Sequence, residues 1–448
     1  MLPTTLRQQA AATLRLSGPL IISNIAQVGL GLIDSAMVGA ISYKQLAASS
    51  LVINAIAIPQ VICIGSTIAI TALVSIARGQ QSTLRASSYA YNGFWLCMGL
   101  SLLIATLCSL ATPLLFRLGQ DPEVAALAKP YYLLMAWGLV PMTLFLSLKQ
   151  FSDALEHTRT GMLLAVASLP LNAMLNWIFI YGKWGLPRME LAGAGLATVM
   201  SRVVLFVVML AIVLKHPVYT AYVKVQAQAW HLRLKSLKEL LHIGLPTGAQ
   251  LAMEAGAFSV SGIMVGWLGA TAQAAHQIAL NLASTTFMAV LGLAMGASIR
   301  VSAAYGAGQP GTMKSIGQST IATGLLYGSF CALLFITLRF QLPYLFNNEP
   351  AVVTLAASLL VIAALFQVSD SLQCIGAGLC RGRKDVKMPT LLVAVAYWVI
   401  GIPVGYWLAF GLNMGAAGIW WGFVAGLSMA AIFLNRRFLG AVQPPSPS

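Results

Sequence analysis

Residues 19–39 read PLIISNIAQVGLGLIDSAMVG, and residues 246–266 read PTGAQLAMEAGAFSVSGIMVG. The two stretches align without a gap at a shift of 227 residues, pairing Pro19 with Pro246 and Gly29 with Gly256. Met37-Val38-Gly39 falls on Met264-Val265-Gly266. The same shift pairs Ala47-Ala48 with Ala274-Ala275, Asn54 with Asn281, Gly65 with Gly292 and Gly79 with Gly306. Beyond it, QDPEVAALA around Pro122 matches NEPAVVTLA around Pro350, and AGAGLAT ending at Thr198 matches GAAGIWW ending at Trp421. Landmarks that keep their order through both halves mark an internal duplication, with small loop insertions absorbing the drift.

Composition says where such halves reside. Of 448 residues, 58% are apolar and 8% charged, and the mean hydropathy is +0.82. Ordinary soluble domains are about one quarter charged, so a soluble fold is excluded. A bilayer-spanning helix takes about 20 residues. Apolar stretches of that length fall near 17–40, 46–77, 88–114, 127–149, 161–182 and 191–214, then near 240–268, 273–303, 316–338, 351–379, 388–411 and 415–435. The expected architecture is an all-α polytopic membrane protein of twelve transmembrane helices in two pseudo-symmetric six-helix lobes. The expected segments are an N-terminal lobe at 1–215, a cytoplasmic linker at 216–238, a C-terminal lobe at 239–437 and a disordered tail at 438–448. Six spans per half, an even number, give both halves the same orientation, with binding near the midplane between them.

The net charge of +15 is mostly an orientation signal. Nineteen of the 26 Lys and Arg fall in loops on the side of the two termini, six on the other, and Arg202 lies within a span. Positive charge favours the cytoplasmic side, so both termini are expected there. No sustained basic face exists for nucleic acid. Within the linker, AWHLRLKSLKELLHIG at 229–244 reads as an amphipathic helix on the inner membrane surface. The N-terminus lacks a short apolar core with a small-residue cleavage site, so the first span is expected to do the targeting. Six cysteines at no metal-like spacing read as packing residues.

Three acids, Asp34, Glu254 and Asp370, lie deep in spans with no basic residue placed by sequence to pair with them. A carboxylate at the bilayer centre costs about 2.5–3.5 kcal/mol even on lenient scales. The bland reading is a protonated acid bonded to a neighbouring helix. The functional one is a group that exchanges H⁺ or Na⁺, and three such acids favour it. At the shift of 227, Asp34 falls on Ser261 and Glu254 on Gln27. Two non-equivalent polar clusters are therefore expected, one per half. Asn176 and Thr198 could serve Asp34, and Gln277 with Asn281 could serve Glu254, although each alone is more often an interhelical hydrogen bond. His276 reads as structural. Asp153, Glu156, His157 and Arg159, like Arg381, Arg383, Lys384 and Asp385, read as snorkelling anchors and loop ion pairs.

These residues carry a family resemblance. PLIISNIAQVGLGLIDSAMVG at 19–39, LNWIFIYGKWG at 175–185, AAHQIALN at 274–281, FQVSDSLQ at 366–373 and RGRKD at 381–385 resemble the multidrug and toxic compound extrusion (MATE) transporters of the NorM-like branch. The resemblance runs from about Arg15 to Phe438. It implies cation-coupled export of cationic, amphipathic drugs and dyes from the bacterial cytoplasm across the inner membrane. It implies a coupling ion, Na⁺ or H⁺, with no other cofactor, at Glu254 and Asp370 or at Asp34, Asn176 and Thr198. Some family members carry a second N-lobe acid one turn beyond the asparagine, where this chain has Ile180, which leaves the choice of ion open.

The leading expectation is a monomeric multidrug antiporter working by alternating access of two lobes. A lipid-linked precursor flippase would need a basic cavity, whereas only Arg202 is placed within a span. A membrane-embedded enzyme using Glu254 and His276 would need a reactive constellation that the sequence does not supply.

Overall fold

The computed structural model describes residues 5–117, 122–223 and 231–441. The expected tail beyond residue 441 and part of the linker (224–230) lie outside them. Among the described residues every regular element is helical. The first half contains α1 (Leu6–Gly39), α2 (Tyr43–Gly79), α3 (Thr83–Leu110), α4 (Pro122–Trp137), α5 (Leu139–Ala154), α6 (Thr158–Tyr181), α7 (Glu190–Lys215) and the short α8 (Pro217–Val223). The second contains α9 (Leu234–Gly266), α10 (Ala270–Gly306), α11 (Pro310–Thr337), α12 (Pro350–Gly382), α13 (Lys387–Ala394), α14 (Ile402–Tyr406) and α15 (Ala416–Gly440).

Local chemistry sets the helix ends. The Ser42 hydroxyl accepts the Gln45 N–H at 3.2 Å to start α2, and Ser82 accepts the Arg85 N–H at 3.4 Å to start α3, each satisfying an orphan donor. Pro310 and Pro350 occupy first turns, where a missing N–H costs nothing. Gly182, at φ 67, closes α6. The fourth expected span is two helices, α4 and α5, separated at Gly138. The eleventh is α13 and α14 with wide π-helical turns at Val395–Gly401 and Trp407–Gly411, and Pro403 lies inside it. Proline removes a donor and its ring crowds the preceding turn, so the segment cannot run as one regular helix.

Among the described residues, eleven helical segments are long and apolar enough to cross a membrane. The 33-residue α9 is not among them, because Pro246, Gln250, Glu254 and its glycines dilute its apolar content. Its place as a span rests on length and on its repeat partner α1. The run from Leu234 to Gly244, expected as a separate surface helix, is instead the opening of α9.

The helices pack into two compact units that do not follow the repeat boundary. One is Ile25–Gly248, the Asp34 unit; the other combines Met1–Asn24 with Ala249–Ser448, the Glu254 unit. Two sets of close contacts explain the division. The first half of α1 lies on α10, where a Cβ at Gly296 would come within 2.1 Å of Ser17 Oγ and one at Gly292 within 2.6 Å of Ile21 Cγ1. The first half of α9 lies on α2, where a Cβ at Gly65 would come within 2.3 Å of Gly248 Cα. Bare glycines let these helix axes approach more closely than any side chain allows. At the 227 shift Gly65 is Gly292 and Ile21 is Gly248, so the two contacts are repeat equivalents.

Each unit has its own core. The Asp34 unit packs Val52, Ile56, Tyr131, Leu139 and Ile180. The Glu254 unit centres on Phe258, Phe366, Trp420 and Phe423, whose rings meet mostly edge to face. All six cysteines are buried and unbridged.

Candidate functional site

In the Asp34 unit three helices converge on one carboxylate. The second half of α1 carries Asp34, α6 carries Asn176 and α7 carries Thr198. Asn176 Nδ2 donates to Asp34 Oδ1 at 2.6 Å, and Thr198 Oγ1 donates to Asp34 Oδ2 at 3.2 Å. A further bond from Asn176 Nδ2 to Asn172 Oδ1, 3.1 Å, orients the amide. Asn176 Oδ1 is buried without a hydrogen-bond partner among the described residues. A cavity of about 270 Å³ opens beside the acid, lined by polar Gln27, Gln60, Asn172 and Arg202 and by apolar Met135 and Phe145. Gln27, the repeat counterpart of Glu254, thus faces the same cavity as Asp34. Ile180 is fully buried in the unit's core, and among the described residues Asp34 is the one acid that lines the cavity.

The Glu254 unit has a differently built cluster. Gln250 Nε2, one turn earlier on α9, donates to Glu254 Oε1 at 2.9 Å. Gln373 Nε2, three residues past Asp370 on α12, donates to the same oxygen at 3.1 Å. Asp370 is 5% exposed and lies within electrostatic reach of Glu254. Tyr397, from the irregular segment before α14, and Cys374 lie within reach of both acids. Two carboxylates within electrostatic reach of each other disfavour double ionisation, and the Arg381 guanidinium, whose Nε is buried, lies within reach of Glu254.

Some expected partners stand elsewhere. Gln277 Nε2 donates to Asn281 Oδ1 at 3.0 Å on an exposed face of α10, and among the described residues neither bonds to Glu254 or Asp370. A straight helix presents residues four apart to each other, so the two amides satisfy one another. Trp420 Nε1 donates to His276 Nδ1 at 3.2 Å, within the aromatic core. That removes the acid–base pairing of His276 with Glu254. Asp153 is not a surface anchor: Lys149 Nζ reaches its Oδ2 at 2.8 Å, with side-chain exposures of 4% and 0%. Ion pairs do join Arg78, in the last turn of α2, to Glu156 at 2.5 Å and Arg437, in the last turn of α15, to Asp385 at 2.7 Å.

Gln250, Gln373 and Tyr397 escaped the sequence reading. Spacing could have found the two glutamines, since each sits about one turn from an acid. Tyr397 carried no such signal, because only the fold brings its segment to Glu254.

Known proteins resemble this chain in the same pattern. The MatE family model matches twice, over residues 19–178 and 246–407, so its two copies begin at the prolines that open the repeat. The probable multidrug resistance protein NorM of Pseudomonas putida is 35% identical over 441 residues, covering 97% of this chain and 95% of that protein. The multidrug resistance protein NorM of Burkholderia vietnamiensis is 33% identical, covering 97% and 95%. Among solved structures, the Vibrio cholerae MATE transporter VcmN superposes with a TM-score of 0.90 at 20% identity, over 97% of this chain and 98% of that one. The eukaryotic MATE transporter AtDTX14 gives 0.85 at 21% identity, over 98% and 100%.

Proposed function

Since the chain belongs to the MatE family, as a multi-pass transporter related to the NorM multidrug resistance proteins rather than an enzyme, we propose that it is a cation-coupled antiporter. It exports cationic, amphipathic drugs and dyes, driven by entry of Na⁺ or H⁺. It works as a monomer in a bacterial inner membrane with both termini cytoplasmic, and its two lobes alternate between inward and outward access.

The observation that carries this reading is the way the acids are held. Asp34 is gripped by an amide and a hydroxyl, and Glu254 by two amides, with no ion pair to either among the described residues. Neutral donors orient a carboxylate without cancelling its charge. A carboxylate held in this way is free to take up and release a cation. Oxygen donors suit a hard ion: the carboxylates, the Thr198 hydroxyl and the unpartnered Asn176 Oδ1 supply them. Coupling follows if the ion and the drug each prefer a different state, so that one leaves before the other binds.

Dye efflux from reconstituted vesicles under separately imposed Na⁺ and H⁺ gradients tests this. Asp34→Asn, Glu254→Gln and Asp370→Asn are each expected to lower gradient-driven efflux by at least about tenfold, the scale of losing 1.4 kcal/mol of coupling. Wild-type rates in all three variants, or efflux indifferent to both gradients, would sink the proposal.

A further inference from the structure

A second cavity in the Asp34 unit, of about 240 Å³, shares no lining residue with the one beside the acid. It sits where α3 begins and α5, α7 and α8 end, between Tyr91 and Trp95 of α3, Phe151 of α5, Leu214 of α7 and Tyr222 of α8. Ser87 Oγ donates to the Tyr222 carbonyl at 2.7 Å, which holds α8 back against α3. The Phe151 and Tyr222 rings meet edge to face at 6.0 Å, and Tyr91 meets Trp95 in the same way at 6.1 Å. Trp95 and Leu214 are exposed, so the cavity opens as a crevice on the surface of the unit.

No charged side chain lines this crevice. Its two serines spend their hydroxyls on backbone carbonyls, Ser87 on Tyr222 and Ser147 on Leu144. A cationic dye would lose hydration here and meet no acid in return. A hydrocarbon chain loses nothing. Apolar cavities exclude water, and beside membrane spans the molecules at hand to fill one are lipid tails. Charge at the rim narrows the choice. Lys215, exposed in the last turn of α7, directly follows Leu214, and Arg85, exposed in the first turn of α3, stands two residues before Ser87. Among the described residues Lys215 makes no hydrogen bond or ion pair, and the Arg85 side chain bonds only to the neutral Gln80, at 3.0 Å. The carboxylates at this end have other partners: Glu239 accepts the Tyr89 hydroxyl at 2.6 Å, and Glu156 pairs with Arg78.

We propose that the crevice is a lipid site, taking one acyl chain of an anionic glycerophospholipid whose phosphate lies toward Lys215 and Arg85. Basic side chains at the end of a span attract anionic headgroups. Here an apolar slot and a basic rim lie end to end, as the tail and head of a phospholipid do. The site is separate from the acids. It rests on the membrane residence of the chain and not on the antiport reading.

Photolabelling tests it. Full-length protein is reconstituted in phosphatidylcholine vesicles carrying a trace of phosphatidylglycerol with a diazirine on its acyl chain, and the adducts are mapped by peptide mass spectrometry. Adducts are expected to concentrate at residues 87–95 and 210–223, at least about fivefold above those of a phosphatidylcholine probe with the same tail. Combining Arg85→Gln with Lys215→Gln is expected to bring the two probes within about twofold of each other. Ala90 lines the crevice, and Ala90→Trp is expected to cut labelling there at least about fivefold by filling it. Leu103→Trp, at an exposed position farther along α3, should leave labelling unchanged. The wild-type map does not depend on how any variant folds. Labelling spread evenly over the exposed helical faces overturns the site, and equal labelling by both probes overturns the anionic headgroup. Displacement of the label by ethidium would make the occupant a transported dye. Loss of the label as the protein-to-lipid ratio rises would make it a second copy of the chain. Either result overturns the proposal and leaves the antiport reading standing.

Discussion

Asp34 and Glu254 show how a duplicated sequence becomes two unlike sites. Each half supplies an acid where the other has a neutral polar residue, Ser261 or Gln27. That asymmetry was legible because a charge in an apolar run is conspicuous. Asn176 and Thr198 were legible as candidate partners of Asp34, whereas Gln250, one turn from Glu254, was missed. At this scale two predictions follow from geometry. Thr198→Val removes a 3.2 Å bond to Asp34, worth about 1 kcal/mol. It is expected to raise the coupling-cation concentration for half-maximal efflux about fivefold in vesicle flux titrations. Lys149 and Asp153 form a fully buried pair, and the glycine at 161 makes room for the lysine, whose chain would lie 2.9 Å from a Cβ there. Lys149→Met alone strands a buried carboxylate and should destabilise the protein by about 3–5 kcal/mol, whereas the double change to Met and Leu should recover most of that loss. Thermal unfolding in detergent distinguishes the two.

Helices α1 and α9 are the elements that run from one unit into the other. Each begins in one unit and delivers its acid to the other: α1 passes between units after Asn24, and α9 after Gly248. The first half of α1 is also clamped by Arg300 of α10, whose guanidinium donates to the Gln9 carbonyl at 2.8 Å and to Thr13 Oγ1 at 2.5 Å. At the repeat shift Arg300 becomes Leu73 and Thr13 becomes Leu240, both fully buried. A polar clamp in one half thus stands where the other half has two buried leucines. The sequence held the glycines and their spacing, but not which helix each would face. Gly65→Ala is expected to destabilise by about 1–3 kcal/mol, because the new Cβ meets backbone. Gly296→Ala should cost less, since its Cβ meets a hydroxyl that can rotate. Gly99→Ala, with open space around it, serves as the neutral control in the same unfolding assay.

For the whole molecule, the loop charges predict topology and the acids predict ligand-linked stability. A single cysteine at exposed Gln80 should react with a membrane-impermeant thiol reagent only from the cytoplasmic side, and one at exposed Lys183 only from the opposite side. The six native cysteines, all buried, should stay silent in the folded protein. A cation that binds only the folded state stabilises it by about 2.7 kcal/mol at a hundred times its Kd. Whichever of Na⁺ and H⁺ drives efflux should therefore raise the unfolding temperature, and Glu254→Gln combined with Asp370→Asn should blunt that rise. A double variant that keeps the full rise would place the ion elsewhere.

Membrane residence, the duplication, the helical spans and the three intramembrane acids were all written in the sequence. Hydropathy, helical spacing and repeated landmarks are properties of single segments, and a lipid environment enforces them locally. Only the tertiary structure decided that Asn176 and Thr198, 142 and 164 residues from Asp34, close on its carboxylate, and that Gln373, 119 residues from Glu254, reaches the second acid. It also decided that α1 and α9 divide their lengths between units, and that Arg202 lines the same cavity as Asp34. A polar side chain's partner depends on which helices pack together, and close packing through bare glycines sets that over distances no local pattern records.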